Sequence, residues 1–494
     1  MTSVRIKMLG ATDTVTGSRT LLSVGNKHWL IDCGLFQGPK ELRQRNWSTL
    51  SIPTLEGVIL THAHLDHTGY LPRLVQSGFH GPIHCTTGTS DLLQVLLRDA
   101  AYLEEEFATY ANQSGYSDHK PALPLFTMRD AEKALRLVRS YRRDAQSEWI
   151  ALTPEVSFRF IRAGHIIGAS LVQFAIETPQ GPKLITFSGD LGNGRSMTIR
   201  APENLHESDV LVLESTYGQR ATERHDTQAL LATIIKNTWV RRGVVVIPAF
   251  AIGRAQELLH RIRVLENQGQ IPQAPVILDS PMAEKATAIF LRHGEDHLTK
   301  EFADCYAKSR ALGSQYPGDN SGENHELDAC ADFLPHGFQV ATTPNDSMLA
   351  CMRDGPAIVI SASGMLHGGR ILHHLKHRLP HANHTVLFTG YQAPGTKGRW
   401  LLDHSMGLCE GDLRIHHQIV PIAARIEKID AFSSHADQQD LVSFLERMKR
   451  RPETIILSHG EVEAQMALQQ KLLADLGIKT IASCQQPEFT FNWD

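Results

Sequence analysis

Short apolar runs separated by glycine-containing turns fill the first ninety residues and predict strands. The runs assigned to strands are Val4–Leu9, Arg19–Val24, His28–Ile31, Gly57–Leu60 and Pro82–Cys85. Leucine and alanine then recur at three- and four-residue spacing over 91–113, which predicts an amphipathic helix. A second helix is predicted over about 128–145, after a capping-box-like pair of Thr127 and Asp130. We expect the two helices to form a hairpin, 91–145.

The pattern of predicted strands and helices changes twice after this hairpin. Further strands are predicted at Ser157–Ile161, Leu171–Ile176, Leu184–Phe187 and Val210–Leu213. From about 216, strands alternate with helices, which favours a parallel sheet with helices on its faces. The elements of this region are Val244–Ile247, a helix at 253–266, Val276–Leu278, a helix at 281–292, Ala357–Ile360 and Val386–Phe388, with a loop at 313–327. After about 394, strands separated by turns are again predicted. The last predicted elements are a strand at Thr454–Leu457 and a helix at 461–476.

Four apolar runs end abruptly in polar side chains. The residues that follow them are His62, Asp190, Glu214 and His459. Because ligands bind at the carboxyl ends of strands in layered α/β folds, we expect these four strands to direct polar residues at one site.

Composition excludes several classes of protein. The 494 residues include 49 Lys and Arg against 53 Asp and Glu, a net charge of −4, which rules out nucleic-acid binding by net positive charge but not by a local groove. No apolar run is long enough for a membrane span, and no secretory signal begins the chain. The seven cysteines form no Cys-x-x-Cys pair, so a cytoplasmic protein without disulfides or thiolate metal sites is predicted.

The 26 histidines direct attention to one segment, His62-Ala-His64-Leu-Asp66-His67. His62 and His64 project to the same side of an extended chain. Asp66 and His67 lie just beyond, where the chain turns into a helix predicted at Leu71–Gln76. Two pairs of ligands that point in two directions suit two adjacent metal ions. Nitrogen and oxygen ligands suit zinc and could also accept other divalent ions. The alternative is a histidine-rich surface turn.

This segment resembles the signature of the metallo-β-lactamase superfamily, His-x-His-x-Asp-His. Asp32 in Leu30-Ile-Asp-Cys-Gly resembles the family's early aspartate, which supports the ligands. His165 in Gly164-His-Ile-Ile-Gly and Asp190 in Ser188-Gly-Asp resemble the third motif and the bridging carboxylate. The resemblance implies two Zn²⁺ ions. It implies that the metal ligands are His62, His64, Asp66, His67, His165, Asp190 and His459.

Later motifs resemble the β-CASP group of this superfamily, which processes nucleic acids. Glu214 in Glu-Ser-Thr-Tyr, His435 in Ser-Ser-His-Ala-Asp and His459 in Ser-His-Gly-Glu resemble its motifs A, B and C. The resemblance implies an α/β fold, a metallo-β-lactamase αββα sandwich with an inserted β-CASP α/β domain. The predicted borders are 1–215 for the first part of the sandwich, 216–393 for the β-CASP domain and 394–494 for the return.

The catalytic residues implied are Asp190, His435, Glu214 and Asp32. His435 would protonate or stabilise the leaving 3′-oxygen, and Glu214 would orient its ring. Each residue also has a structural reading: Glu214 as an ion pair or cap, and His435 as the cap of a helix that begins near Asp437.

Substrate contacts are predicted in the β-CASP segment. Ser361, Ser363 and Gly364 follow a predicted strand, where hydroxyls and backbone N–H groups cradle phosphates, although a tight turn needs the same small residues. Arg254, near a helix start, could do similar work or form an ion pair, and Arg370 could add positive charge. The histidine-dense stretch from His373 to His384 is predicted as a partly solvated helix face rather than a metal-binding tract.

The resemblance implies a ribonuclease that hydrolyses single-stranded RNA in the cleft between its domains by a two-metal mechanism. The products would carry a 5′-phosphate and a 3′-hydroxyl. Three alternatives are a DNA-preferring nuclease of the same group, a non-catalytic RNA-processing scaffold and a small-molecule hydrolase such as a thioesterase. The presence of all seven ligands argues against the scaffold, and the large insertion argues against the thioesterase. The sequence does not decide whether the enzyme acts as an endonuclease or as a 5′-exonuclease. It also leaves open whether the chain forms a homodimer or another assembly.

Overall fold

The structure is a computed structural model that describes residues 2–115, 117, 119–142, 148–221, 226–293, 298–300, 333–393, 395–429 and 432–493. By packing, the chain divides into two compact units. The first unit contains residues 1–195, 201–221 and 435–494, and the second contains 196–200 and 222–434.

The first unit is built on two seven-stranded sheets. One sheet has the strand order Glu488–Trp493, Thr2–Met8, Thr20–Val24, Lys27–Ile31, Gly57–Ile59, Ile83–Thr86 and Val138–Tyr141. The other has the order Thr480–Ala482, Thr454–Ser458, Val210–Glu214, Lys183–Phe187, Ser170–Ile176, Val156–Arg162 and Ile150–Ala151. Apolar residues of both sheets share one core, which includes Ile6, Trp29, Phe158 and Phe174.

Helices cover the outer faces of the two sheets. Leucines and alanines of the helix Thr87–Ser114 pack with residues of Met128–Arg136 into a second core against the first sheet. The other helices of this unit are Lys40–Gln44, Leu65–Thr68, Leu71–Gln76, Gln438–Glu446 and Val462–Leu476. The helix–sheet–sheet–helix order confirms the predicted sandwich.

The second predicted helix of the hairpin is wrong over Val138–Tyr141, and its last predicted residues, 143–145, lie outside the described residues. The capping box of Thr127 and Asp130 starts the helix as expected, but the helix ends at Arg136. Val138–Tyr141 instead forms a parallel edge strand beside Ile83–Thr86. Tyr141 adds a side-chain contact to this pairing, because its hydroxyl lies 2.7 Å from Nδ1 of His84 on the neighbouring strand.

The second unit is a parallel α/β layer. Its sheet has the order Gly337–Val340, Pro275–Asp279, Ala357–Ser361, Val244–Pro248, Thr385–Phe388 and Arg425–Lys428, and each described pairing is parallel. The helices among its described residues are Thr227–Val240, Arg254–Asn267, Pro281–Arg292, Pro344–Met352, Ile371–Arg378 and Lys397–Ser405. This confirms the predicted alternation of strands and helices. The loop predicted at 313–327 lies outside the described residues.

The stretch after 394 differs from its predicted strand–turn texture. Lys397–Ser405 is a helix whose Leu401 and Leu402 enter the core of the second unit. A small hairpin, Leu413–Ile415 and Gln418–Val420, follows. Arg425–Lys428 then pairs with Thr385–Phe388, so these residues pack with the second unit and the chain rejoins the first unit at His435. The domain borders at 215 and 393 stay predictions. Among the described helices, none combines the length and apolar character needed to span a bilayer.

Candidate metal centre

The histidine-rich segment turns sharply where its sheet ends. The strand Gly57–Ile59 leads into His62, and His64 caps the four-residue helix Leu65–Thr68. The change from extended chain to helix separates His62 and His64 from Asp66 and His67. The two pairs therefore serve two neighbouring groups of ligands, as the spacing predicts.

The first group joins three imidazoles and one carboxylate. Nδ1 of His64 lies 3.1 Å from Nε2 of His62 and 3.3 Å from Nε2 of His165. Oδ2 of Asp190 lies 3.5 Å from Nε2 of His62 and 3.6 Å from that of His165. Tetrahedral zinc with bonds of about 2.0–2.1 Å holds its ligand atoms about 3.3 Å apart, so this spacing fits one zinc ion.

The second group lies on the other side of Asp190. Nε2 of His67 lies 3.1 Å from Nε2 of His459 and 3.2 Å from Oδ1 of Asp190. Oδ2 of Asp66 lies 3.7 Å from Nε2 of His459 and 4.0 Å from that of His67. The two oxygens of Asp190 thus face different groups, and this arrangement suits a carboxylate that bridges two ions.

Burial sets the protonation of these ligands. It lowers the pKa of His62 and of His165 well below the usual histidine value, so both rings are neutral and offer lone pairs at neutral pH. Burial alone would raise the pKa of Asp190, but the charges of His459 and His67 hold it well below its usual range. Burial also lowers the pKa of His67, but Asp190 and Asp32 outweigh it and raise that pKa well above the usual value, so His67 would lose a proton when a metal ion binds, whereas His62 and His165 are already neutral.

Asp32 orients the His67 ring through the nitrogen that faces away from the other ligands. Its Oδ2 lies 2.7 Å from Nδ1 of His67, and its Oδ1 accepts the backbone N–H of Thr61 at 2.8 Å. Because Asp32 is buried and holds Nδ1, Nε2 of His67 is directed at the metal centre. The role that the resemblance implies for Asp32 is consistent with this geometry.

Two threonines act in the same way and were missed by the sequence reasoning. Thr61 Oγ1 lies 3.1 Å from Nδ1 of His62, and Thr216 Oγ1 lies 3.2 Å from Nδ1 of His459. Each hydroxyl turns the opposite nitrogen of its histidine toward the neighbouring ligands. A usable signal was present, because Thr61 directly precedes the ligand segment and Thr216 lies within the Glu214-Ser-Thr-Tyr motif.

We expect Asp32→Asn to weaken zinc binding about 10–100-fold, because the amide no longer holds the His67 ring as a carboxylate does. Competition with a coloured chelator measures this affinity. The surface variant Asp475→Asn, which breaks only an exposed pair with Lys471, is the control and should bind zinc as the wild type does. Equal affinity in Asp32→Asn would show that Asp32 does not support the ligand.

His435 and Glu214 adjoin the first ligand group. Nδ1 of His435 lies 3.4 Å from Oε2 of Glu214 and 3.9 Å from Oδ2 of Asp190. Glu214 is buried and is held by the backbone N–H of Leu191, while its own N–H donates to Ser188 Oγ. Burial lowers the pKa of His435, but the carboxylates of Glu214 and Asp190 outweigh it and raise that pKa to about 9. The side chain of His435 is 21% exposed, so it can meet a substrate.

Comparison with known proteins gives the same assignment along the chain. Three family models match: the metallo-β-lactamase superfamily over 14–132, the Beta-Casp domain over 255–401 and the Zn-dependent metallo-hydrolase RNA specificity domain over 419–483. Ribonuclease TTHA0252 of Thermus thermophilus is 34% identical over 473 residues, which cover 95% of this chain and 96% of that protein. This chain belongs to the β-CASP group of the metallo-β-lactamase superfamily.

Other relatives of this β-CASP protein are longer. The transcription termination factor FttA of Cenarchaeum symbiosum is 29% identical, over 93% of this chain and 66% of that protein. The FttA of Methanocaldococcus jannaschii is 30% identical, over 93% and 67%. A crystal structure of an Enterococcus faecalis protein of unknown function covers 99% of the chain with a TM-score of 0.52 and 12% identity, which supports the fold alone. The β-CASP protein is thus a member of a zinc-dependent hydrolase family with a named ribonuclease.

The substrate residues predicted in the β-CASP unit differ in how accessible they are. Ser361 ends its strand fully buried, and its Oγ donates to the Asp279 carbonyl at 2.9 Å, so this hydroxyl is not available to a phosphate. Ser363 is partly exposed, and its Oγ accepts the N–H of His367 at 3.2 Å. Gly364 packs so closely that a Cβ there would lie 3.1 Å from the backbone nitrogen of Phe250. Ser363 and Gly364 stay predictions.

The two predicted arginines have different settings. Arg254 begins its helix, with the guanidinium carbon 5.9 Å from the ring centre of Phe432. Arg370 donates to Oδ1 of Asp279 at 2.9 Å and to the Ala341 carbonyl at 2.7 Å. The guanidinium of Arg370 is therefore already engaged in the β-CASP unit, and contact with substrate by either arginine stays a prediction.

The histidine-dense stretch is helical over Ile371–Arg378, and His381 and His384 lie beyond the end of the helix. His374 is fully buried, with Nε2 2.7 Å from Oδ2 of Asp279. Arg378, also buried, places Nη1 3.0 Å from Nδ1 of His374 and donates to the Ala350 carbonyl at 2.7 Å. The helix is thus partly solvated, as predicted: His373 and His377 are exposed, whereas His374 and Arg378 are buried on the side that faces Asp279.

We expect Asp279→Ala to lower the free energy of unfolding by about 3–5 kcal/mol, because it removes the buried carboxylate that holds the Arg370 guanidinium together with His374 and Ser347. Denaturant titration of the full chain measures the change. Asp403→Ala, which removes a surface pair with Arg399, is the matched control with an expected loss below about 1 kcal/mol. Equal losses in the two variants would mean that the buried network does not stabilise the unit.

Proposed function

We propose that this protein hydrolyses the phosphodiester bonds of single-stranded RNA with two zinc ions held by the seven-ligand centre. The observation that carries the proposal is the position of Asp190, whose two oxygens face two separate ligand groups. The similarity to a Thermus ribonuclease and the match to an RNA specificity domain support RNA as the substrate. The products would carry a 5′-phosphate and a 3′-hydroxyl.

Different residues of the chain have different roles in the proposed hydrolysis. When bound, a pair of zinc ions supplies an activated water and positive charge for the phosphate. Asp190 fixes the distance between the two ligand groups. Asp32, Thr61 and Thr216 keep the ligand nitrogens turned inward. Burial of the ligands excludes bulk water, which strengthens electrostatic interactions inside the centre.

His435 is the proton donor in this proposal. The leaving 3′-oxygen gains a proton as the P–O bond breaks, and His435 stands beside Asp190 with part of its ring exposed. Glu214, 3.4 Å away and buried, holds Nδ1 of His435, and in this proposal the opposite nitrogen of the ring donates the proton. A non-catalytic scaffold would not need this pair beside a full ligand set.

The test is incubation of the purified protein with 5′-labelled and 3′-labelled RNA and DNA of the same sequence, with zinc and with chelator. We expect RNA to be cleaved to 3′-hydroxyl fragments, DNA to be cleaved far more slowly, and chelator to stop both reactions. Intact RNA in the presence of zinc would overturn the proposal. Faster cleavage of DNA than of RNA would instead support the alternative of a DNA-preferring nuclease. The label patterns also report endonuclease against 5′-exonuclease action. A cytoplasmic location and a homodimer stay predictions.

A further inference from the structure

One helix of the second unit carries two histidines and a lysine on its solvent side. In Ile371–Arg378, the side chains of Leu372, His374 and Leu375 are buried. His373 and His377 are exposed and Lys376 is partly exposed. Because residues three and four apart lie on one side of a helix, these three groups form a single outward row.

A strained hairpin tip brings two more histidines to this row. His416 and His417 join the strands Leu413–Ile415 and Gln418–Val420, with φ of 47° and 65°. A two-residue turn with both residues left-handed normally takes Asn-Gly, so histidine is an unfavourable choice on conformational grounds. Both histidines are exposed, and the ring of His416 lies 5.1 Å from that of His373.

The surroundings of this tip are positively charged. Partial burial lowers the pKa of His416, and His373, Lys376, Lys397 and His417 lower it further. Lys397 begins the helix Lys397–Ser405, so a third element contributes to the same place. The pKa of His377 is likewise lowered by burial and then by Arg378, Lys376 and His373. The permanently charged groups that face these two histidines, Lys376, Lys397 and Arg378, are all cations.

We propose that the His/Lys patch, defined as His373, Lys376, His377, Lys397, His416 and His417, binds the phosphate backbone of single-stranded RNA as an anchor separate from the metal centre. The proposal rests on the proposed function, since RNA is the polyanion that such an enzyme meets. Local positive charge on a chain of net charge −4 can attract phosphates that the protein as a whole repels. His373 and His377 have the spacing of a chelating pair, but the two lysines disfavour a divalent cation and favour an anion.

The decisive measurement is the salt dependence of RNA affinity. Fluorescence anisotropy would follow a labelled 20-nucleotide single-stranded RNA on the zinc-loaded full chain, in a His435→Ala background that slows cleavage. Adding Lys376→Gln and Lys397→Gln should reduce the slope of log K against log salt by about 1.4, at ~0.7 for each lost contact, and weaken binding about tenfold near physiological salt. The control pair is Lys236→Gln with Lys285→Gln, exposed lysines of the same unit, which should leave the slope unchanged.

A second variant tests the histidines without disturbing the turn. His416→Asn with His417→Gly gives the tip its preferred residues, so the hairpin is retained while both imidazoles are lost. We expect about threefold weaker RNA binding, the effect of one lost hydrogen bond of ordinary strength. A third zinc ion per chain that disappears in this variant would overturn the RNA assignment in favour of a cation site.

The outcomes separate this inference from the proposed function. An unchanged slope in the Lys376 and Lys397 variant, or no binding by the parent chain, would overturn the patch, even if the wild type cleaves RNA. A reduced slope in a protein whose wild type cleaves no RNA would support the patch and remove the proposed function.

Discussion

Asp190→Asn is expected to reduce the rate of RNA cleavage at least about 10³-fold and to lower the zinc content of the purified protein. The side chain contributes one oxygen to each ligand group, so its charge opposes the repulsion between two adjacent cations. Two-metal sites supply several kcal/mol of charge stabilisation to the transition state, and each ~1.4 kcal/mol is tenfold in rate. The rate of cleavage and the zinc-to-protein ratio, measured on the same preparation, check both parts.

Asp475→Asn is the matched control for this variant, since it also converts an aspartate to an amide but only on the surface of the helix Val462–Leu476. It should retain full activity and zinc. If Asp190→Asn retained two zinc ions per chain and also cleaved RNA at the wild-type rate, Asp190 would not be a bridging ligand.

His435→Ala is expected to lose about 10²–10⁴-fold in kcat while it retains its zinc. His435 touches Glu214 and stands next to Asp190, but it belongs to neither group of three ligand side chains that flank Asp190. Removal of the ring therefore takes away the proton donor and leaves the ligands in place. The contrast with Asp190→Asn is diagnostic, because there zinc and activity fall together.

The measurement is single-turnover cleavage of a labelled RNA together with zinc analysis. Glu214→Gln gives a second comparison: it keeps the size of the side chain that holds His435, so its loss should be smaller than that of His435→Ala. Wild-type turnover in His435→Ala would remove the residue from the proton-transfer step.

Local patterns were sufficient to predict much of the fold and the candidate site. The ligand segment lies within six residues, and Asp190, Glu214 and His459 each follow a buried strand, so strand ends alone indicated their convergence. The structure brings these residues together with His165 and His435, although more than 390 residues separate His62 from His459 along the chain.

The failures share a physical cause, which is a partner distant in sequence. Val138–Tyr141 continues a helical pattern locally, and only its pairing with Ile83–Thr86 makes it a strand. His374 reads as one of several surface histidines until Asp279, 95 residues earlier, is placed beside it. The position of Ser361 at the end of a predicted strand suggested a phosphate ligand. Its hydrogen bond to the Asp279 carbonyl, which occupies the hydroxyl, cannot be read from the local sequence.

The most direct test of the two-metal centre is a zinc titration of the chelator-stripped full chain during which the rate of RNA cleavage is recorded. We expect no cleavage by the stripped protein and a rate that reaches its plateau at two zinc ions per chain. Full activity at one zinc ion per chain, or cleavage by the stripped protein, would contradict the centre built around Asp190.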